Sequence, residues 1–467
     1  VEYTSPEERA VCNLASIALC KMLTPFDITN KEFIIYTKPD CKFCKWAKKW
    51  MDTNNYGYQE VIFDSNAIES ISSSQNFIRE LRNKILECDN NSEFNNDEQT
   101  MKFPQIFMFD STNKDKIEHL GGFENMIKKV CHSYDYEKLY DVAYTATKNL
   151  NQVIDINYYP TIETKRSNMK HRPIGLGIQG LADTLVQMRI PFDSDEALEL
   201  NSKIMETIYF AAMSASKDIS KERSENMIKL MKLINEKNIE IPEYYCSDFN
   251  YEDDFDKLYH MLRPNIYEVN RPIKDYVGSY SSFEGSPVSK GIFQFDMWGL
   301  DNSELRYNWA NLKNEVQKYG VRNSLLVALM PTASTSQILG NNECFEFFTS
   351  NIYTRNTLAG DFPIINRYMV NDLLSIGEWN SDLKDLIIAG NGSIQHIKNL
   401  PDVFKRLYQT QWELKQIWVL KAAKSRGPFV DQTQSMNVFL ESPNDQKLNS
   451  CLFWGWKNGL KTGMYYL

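Results

Sequence analysis

The chain has 467 residues, 42% of them hydrophobic and 24% charged, with a net charge of −9 and no long basic run. That composition suits a soluble globular protein of two or three domains, and the acidic balance excludes nucleic acid as an expected direct partner. The longest apolar stretches, such as residues 325–330, are far too short to span a bilayer, and the polar N-terminus lacks the apolar core of a signal peptide.

In chain order, residues 12–19 read as a short apolar strand. A new unit then begins. Residues 33–36 read as a buried strand and 41–52 as a helix; 61–63 form a second strand. Residues 67–86 carry apolar positions at helical spacing, and 88–100 are rich in Asn, Asp and Glu and read as a loop. Strands at 105–109 and 116–120 and a helix near Phe123 complete the order strand, helix, strand, helix, strand, strand, helix. From Tyr134 onward long helices alternate with short apolar strands: helices are expected at 136–150 and 195–222, and a buried strand at 324–330. Residues 223–280 are polar and read as a peripheral, partly helical insertion.

Nine cysteines stand at 12, 20, 41, 44, 88, 131, 246, 344 and 451. The odd count and irregular spacing do not make a secreted disulfide framework, so a reducing, cytoplasmic compartment is expected. Only Cys41 and Cys44 form a tight pair. A dithiol exchange enzyme needs one accessible thiolate and a second thiol that resolves the mixed disulfide. A cysteine at a helix start gains from the unpaired N–H groups there, and Lys38 adds a positive charge. The alternative is half of a zinc site, which would call for a second Cys/His pair at ligand spacing; Cys131-His132 is adjacent and Cys88 isolated. The strand before the motif favours redox chemistry and no metal.

The string Thr37-Lys38-Pro39-Asp40-Cys41-Lys42-Phe43-Cys44 resembles the active site of glutaredoxins. Phe103-Pro104-Gln105-Ile106-Phe107 resembles their cis-proline segment, and Gly121-Gly122-Phe123-Glu124 their Gly-Gly turn. The resemblance covers about residues 30–131. It implies a thioredoxin fold, Cys41 as nucleophile, Cys44 as resolving thiol, and a glutathione groove lined by Lys38, Phe103, Pro104, Gly122 and Phe123. Acidic pairs usually follow the Gly-Gly turn; here Glu124-Asn125 stands instead.

Longer strings resemble the large subunit of class I ribonucleotide reductases, the eukaryotic and viral type. They are Val1-Glu2-Tyr3-Thr4-Ser5 with Val11-Cys12-Asn13-Leu14-Ala15-Ser16-Ile17, residues 170–183, residues 283–291, residues 330–343, and the closing Gly459-Leu460-Lys461-Thr462-Gly463-Met464-Tyr465-Tyr466-Leu467. They occur in the family's order over 1–23 and 134–467, apart from 223–280. The resemblance implies an α/β fold: the second half of the family's ten-stranded α/β barrel, with Cys12 on its first strand and deep in the barrel. The expected domains are a first-strand region at 1–26, a glutaredoxin-like insert at 27–131 and the remaining reductase barrel at 132–467.

By the same resemblance, Cys12 is one of two reducing cysteines. Pro331, Thr332, Ala333, Ser334 and Thr335 belong to a substrate phosphate loop, and Tyr465 and Tyr466 are a stacked pair relaying a radical. From the residues alone, Cys12 would be an inert core thiol and the 332–336 hydroxyls a plain helix N-cap. Gly175-x-Gly177-x-x-Gly180 fits the dinucleotide fingerprint as a string, but the polar residues 167–172 before it cannot be the required buried strand.

The implied function is radical-based reduction of ribonucleoside diphosphates to deoxyribonucleotides for DNA synthesis, with the insert as electron donor. No cofactor is expected to be bound directly in the chain. A metal-containing small subunit would supply the radical, and glutathione would reduce the insert. Expected partners are that small subunit, the N-terminal half of the large subunit if the enzyme is split, and a second large subunit; no membrane is expected. The setting would be the cytoplasm, in a host cell if the chain is virus-encoded. Because residue 1 is Val, a fragment or processed product is expected, with the radical-bearing cysteine and effector sites upstream and a tail cysteine pair downstream. Two rivals are a glutaredoxin carrying a decayed reductase remnant, and a non-enzymatic fragment that titrates the small subunit.

Overall fold

The computed structural model describes residues 4–63, 71–88, 102–238, 254–262 and 276–467. Residues 64–70 and the loop read at 88–100 lie almost wholly outside that set, as does most of 239–275.

The insert is built on a four-stranded sheet. Its strands are β3 (Lys31–Thr37), β4 (Tyr58–Ile62), β5 (Gln105–Asp110) and β6 (Asn113–Gly121), in the order β4-β3-β5-β6. β3 runs parallel to β4 and antiparallel to β5, and β5 is antiparallel to β6. A parallel pair needs a crossover helix, and α1 (Lys42–Thr53) provides it, burying Cys44, Trp46, Ala47, Trp50 and Met51 along one face. α2 (Ile71–Cys88) and α3 (Phe123–Lys129) follow in the expected places. β4 begins three residues earlier than the apolar run suggested, because Tyr58 pairs with Phe33.

The insert hangs from a clamped neck. β2 (Leu23–Thr24), on the way in, pairs antiparallel with β7 (Ser133–Tyr134), on the way out. The Asp135 N–H donates to Met22 O at 2.8 Å, and Lys138 Nζ to Lys21 O at 2.8 Å.

The reductase portion is organised on five extended segments, all parallel. β1 (Leu14–Ala18) pairs with β8 (Gly175–Gln179). Single bridges then carry the array onward: Leu176 to Val327, Leu329 to Gln434, and Asn437 to Tyr466. The strand expected at 324–330 is thus a buried extended segment bridged at single residues. The array is open among the described residues, so a closed barrel is not seen. The Gly175-x-Gly177-x-x-Gly180 string begins inside β8, which follows helix α5 (Ile162–His171), and ends at Gly180, the N-cap of α6 (Leu181–Gln187) at φ +75°; the strand carries the string instead of preceding it. Its glycines serve strand packing: a Cβ at Gly177 would sit 2.3 Å from Met330 Sδ, and one at Gly175 2.6 Å from Leu14 Cδ2.

Helices cover the array. α4 (Tyr136–Ile156) starts at Asp135, whose carboxylate accepts the Lys138 N–H. α7 (Asp195–Lys237) runs fifteen residues past the expected end at 222. Its extension carries Met227, Leu230 and Ile234 against Tyr259, Leu262 and Val277 in a small core of its own, which the polar composition concealed. One continuous apolar core unites insert and reductase portion, from Phe33 and Trp46 to Leu176 and Phe404. Among the described residues no helix is long and apolar enough to cross a membrane.

Candidate active sites

The first site lies at the end of β3. Cys41 is the N-cap of α1, and its sulfur accepts the Cys44 N–H at 3.3 Å, so the thiol takes one of the orphan donors of the helix start. Cys41 Sγ also faces Phe103 O at 3.5 Å. Both cysteines are free thiols. They are unequal: Cys41 keeps 8% exposure and Cys44 only 2%. Burial, and then the hydrogen bond with Cys41, push the Cys44 thiol up to about 12. A nucleophile at a helix start, followed by an inner thiol held protonated, is the asymmetry that dithiol exchange needs.

Phe103-Pro104 is a cis peptide bond beside the dithiol. Phe103 stacks on Phe63 with centroids 5.7 Å apart. Gly121 has φ +81°, and a Cβ on Gly122 would lie 3.5 Å from Pro104 O, so the Gly-Gly turn sits against the cis-proline loop. Of the five residues expected along a glutathione groove, Lys38 is exposed, Gly122 is partly exposed, and Phe103 and Pro104 are buried. Phe123 needs correction. It is 1% exposed, its ring packed between Trp46 and Phe404, so its side chain cannot line an open groove.

The second set lies along the parallel array. Cys12 precedes β1 by two residues and is exposed, neither on the strand nor deep in a barrel. β1 buries its far end, Ile17 and Ala18, and leaves its start open. Asn13 is what pins this start: buried, it donates to Asn168 Oδ1 at 3.0 Å and to Pro173 O at 3.2 Å.

The 331–335 loop leads from the third extended segment into helix Ala333–Leu339. Pro331, Ala333, Ser334 and Thr335 are exposed, whereas Thr332 is buried. The Thr332 hydroxyl accepts the Cys344 N–H at 2.8 Å, and the Thr332 N–H reaches Cys344 Sγ at 3.2 Å. Thr332 makes no side-chain cap, so the N-cap reading fails for it; it anchors the loop, while Ser334 and Thr335 are exposed. Thr335 Oγ1 lies 3.4 Å from Ser16 Oγ, which ties the loop to β1.

Tyr465 and Tyr466 are adjacent on the fifth segment, held by Val438 N–H to Tyr466 O at 3.0 Å and Tyr465 N–H to Met436 O at 2.6 Å. Their rings meet edge to face, at 68° with centroids 4.4 Å apart, and are not stacked. Both are at least half exposed. The hydrogen bond with Tyr466 raises the Tyr465 phenol. Lys461, just upstream, donates to Val430 O and Asp431 O, at 3.0 and 2.7 Å.

Three groups escaped the sequence reading. Asp431, partly buried, accepts the N–H groups of Leu326 and Val327 at 2.7 and 2.8 Å, and desolvation pushes it up to about 6. Cys344 is raised to about 11 by burial beneath the loop. Glu346 is raised to about 7 by burial and by Glu343, while the Asn437 amide donates to it. Glu346 and Glu343 open onto a cleft of about 570 Å³ that also takes in Arg355 and Arg367. The sequence signal for Cys344 and Glu346 was their nearness to the 330–343 string; Asp431 had none. Among the described residues no cluster of His, Cys, Asp and Glu could hold a metal ion.

The family model of the ribonucleotide reductase barrel domain matches residues 120–466. The chain belongs to the ribonucleotide reductase barrel family. A second family model, glutaredoxin, matches residues 33–110. Among relatives, a ribonucleoside-diphosphate reductase large chain of Neurospora crassa is 46% identical over 335 residues, covering 72% of this chain and 30% of that one. A large subunit from Dictyostelium discoideum is 48% identical, covering 72% and 32%. One from Acanthamoeba polyphaga mimivirus is 41% identical over 350 residues, covering 74% and 34%. The chain spans about a third of the length of these curated relatives. The reductase portion therefore has a mixed α/β barrel-family fold and the insert a thioredoxin fold.

Proposed function

We propose that this chain is the C-terminal part of a ribonucleoside-diphosphate reductase large subunit, acting in the cytoplasm, with the insert as its electron donor. The supporting observation is that one parallel array carries all three reductase elements: Cys12 leads into its first segment, the 331–335 loop follows its third, and Tyr465-Tyr466 form its fifth. In this reading the domains divide at 1–26, 27–131 and 132–467, with 223–280 peripheral.

The substrate loses its 2′ hydroxyl as water. Cys12 and a second thiol give two electrons and two protons and become a disulfide. Ser334, Thr335 and the 331–335 backbone would anchor the diphosphate. Tyr465 and Tyr466 would relay a radical supplied by the metal-containing small subunit, each ring giving an electron and a proton together toward that subunit as the radical moves inward. The exposed Phe453 and Trp456 on helix Asp445–Lys457 offer apolar surface on which that subunit could seat. For re-reduction, the Cys41 thiolate attacks a carrier disulfide. Cys44 then gives up its proton and attacks Cys41 Sγ, releasing the carrier as a dithiol. Two glutathione molecules reduce the Cys41–Cys44 disulfide and leave as glutathione disulfide.

The test is reconstitution. The chain is mixed with a polypeptide supplying the rest of the relatives' length and with a small subunit, and deoxyribonucleotide formation from a ribonucleoside diphosphate is measured. Turnover supports the proposal. A verified folded complex with no turnover contradicts it and favours the small-subunit-titrating alternative.

A further inference from the structure

The insert does not hang free of the reductase portion. Its active-site helix and its Gly-Gly turn are the surfaces that dock. The Trp46 indole donates to Glu378 Oε1 at 2.7 Å, and Lys42, next to the nucleophile, ion-pairs with the same carboxylate at 3.6 Å. Lys42 also donates to Asn399 O at 2.9 Å and lies 4.5 Å over the Trp46 ring. On the other side, helix Asp402–Leu407 has Pro401 at its N-cap, with no side-chain acceptor of its own. Glu124 of the insert supplies one, taking the N–H of Asp402 at 2.9 Å and of Val403 at 3.4 Å. A cap of this kind contributes about 1 kcal/mol, and a carboxylate at a helix start also meets the favourable end of the dipole. Between the two anchors lies the Phe123–Phe404 contact, sealed from solvent. The β2–β7 neck closes the remaining side.

We propose that the insert is a fixed arm, anchored on Glu378 and on the 402–403 amides, which exchanges disulfides only with a partner that moves to it. Cys41 therefore does not swing toward Cys12; a disulfide on a flexible carrier segment must bring the electrons' destination to Cys41. Fixing the arm trades reach for orientation: a docked dithiol presents one approach direction, and the carrier supplies the motion. The proposal rests on the donor reading of the dithiol, but its test reads distance, so the two fail separately.

The experiment uses the full chain with fluorophores placed through non-natural amino acids at the exposed Thr112 in the insert and Asn314 in the reductase portion, leaving every cysteine untouched. Single-molecule energy transfer is recorded with the dithiol reduced and oxidised. The expected result is one narrow distance population, unchanged by redox state. In the double variant Glu124→Ala, Glu378→Ala, which removes both acceptors, it broadens, while the circular dichroism spectrum stays that of wild type. Two populations in the wild-type chain, or a redox-dependent shift, would overturn the fixed arm. A double variant as narrow as wild type would overturn the assigned anchors.

Discussion

In the insert, Cys41 meets Phe103, Cys44 and the start of α1, all supplied by neighbouring stretches of one small fold. In the reductase portion, Cys12, Ser334 and Tyr466 stand exposed on an open array, each tethered through its backbone or a buried neighbour. The first site is finished by its own residues. The second has its supports in place (Asn13, Thr332, Lys461) and the side chains they hold exposed. Positioning and enclosure are thus separable within one chain; under the proposed function, the chemistry would require water to be excluded from the groups that these supports hold.

The largest expected effect would break that comparison on its open side. In the reconstituted enzyme, Tyr465→Phe or Tyr466→Phe should lower turnover by roughly a thousandfold or more, as for a step no other residue supplies. Nucleotide affinity and the melting temperature of the chain should stay at wild type, because both rings are exposed. Near-normal turnover in both variants would remove the pair from the mechanism.

The next effect concerns the seam between the two regions. Phe404 is fully buried in the shared core, so Phe404→Ala should cost about 3–5 kcal/mol in a denaturant titration of the chain. Trp456→Ala, on the exposed helix face, should change stability by no more than about 0.5 kcal/mol. Equal costs would mean that the seam is not a core.

The smaller effect is on pH. Glu346 is raised from its ordinary 4.5 to about 7, so between those values the folded chain holds a proton that the unfolded chain has lost. Stability should therefore fall as pH rises through that window, by at most about 3 kcal/mol from this group. Glu346→Gln should flatten the slope in urea titrations. Asp431, raised to about 6, contributes with the same sign and should leave a residual slope. An unchanged slope in Glu346→Gln would show that the carboxyl is charged and hydrated in the folded chain.

The insert was legible because its signals are local. An apolar strand, a Cys-x-x-Cys helix start and a Gly-Gly turn each name their own geometry, and β3, α1 and α3 stand where those signals put them. The reductase portion was legible in the order of its motifs and less so in its geometry. Cys12 lies exposed because burial of β1 is set by helices packed on its far end, which no local pattern around Cys12 reports. The Thr332 hydroxyl is tied to Cys344, twelve residues on, so hydroxyl spacing alone could not tell an anchor from a ligand-facing group. The reach of α7 to Lys237 was hidden by a polar exterior around a narrow apolar stripe. Docking of the insert depends on Glu378 and Glu124, more than two hundred and fifty residues apart, and no motif contains both.

An insert that feeds electrons to its own reductase portion must let glutathione alone, with no other glutaredoxin added, drive turnover of the reconstituted enzyme, and that turnover is measured in wild type and in Cys41→Ser. The substitution should abolish glutathione-driven turnover and leave turnover with a chemical dithiol intact. Equal glutathione-driven turnover in the two proteins would contradict it.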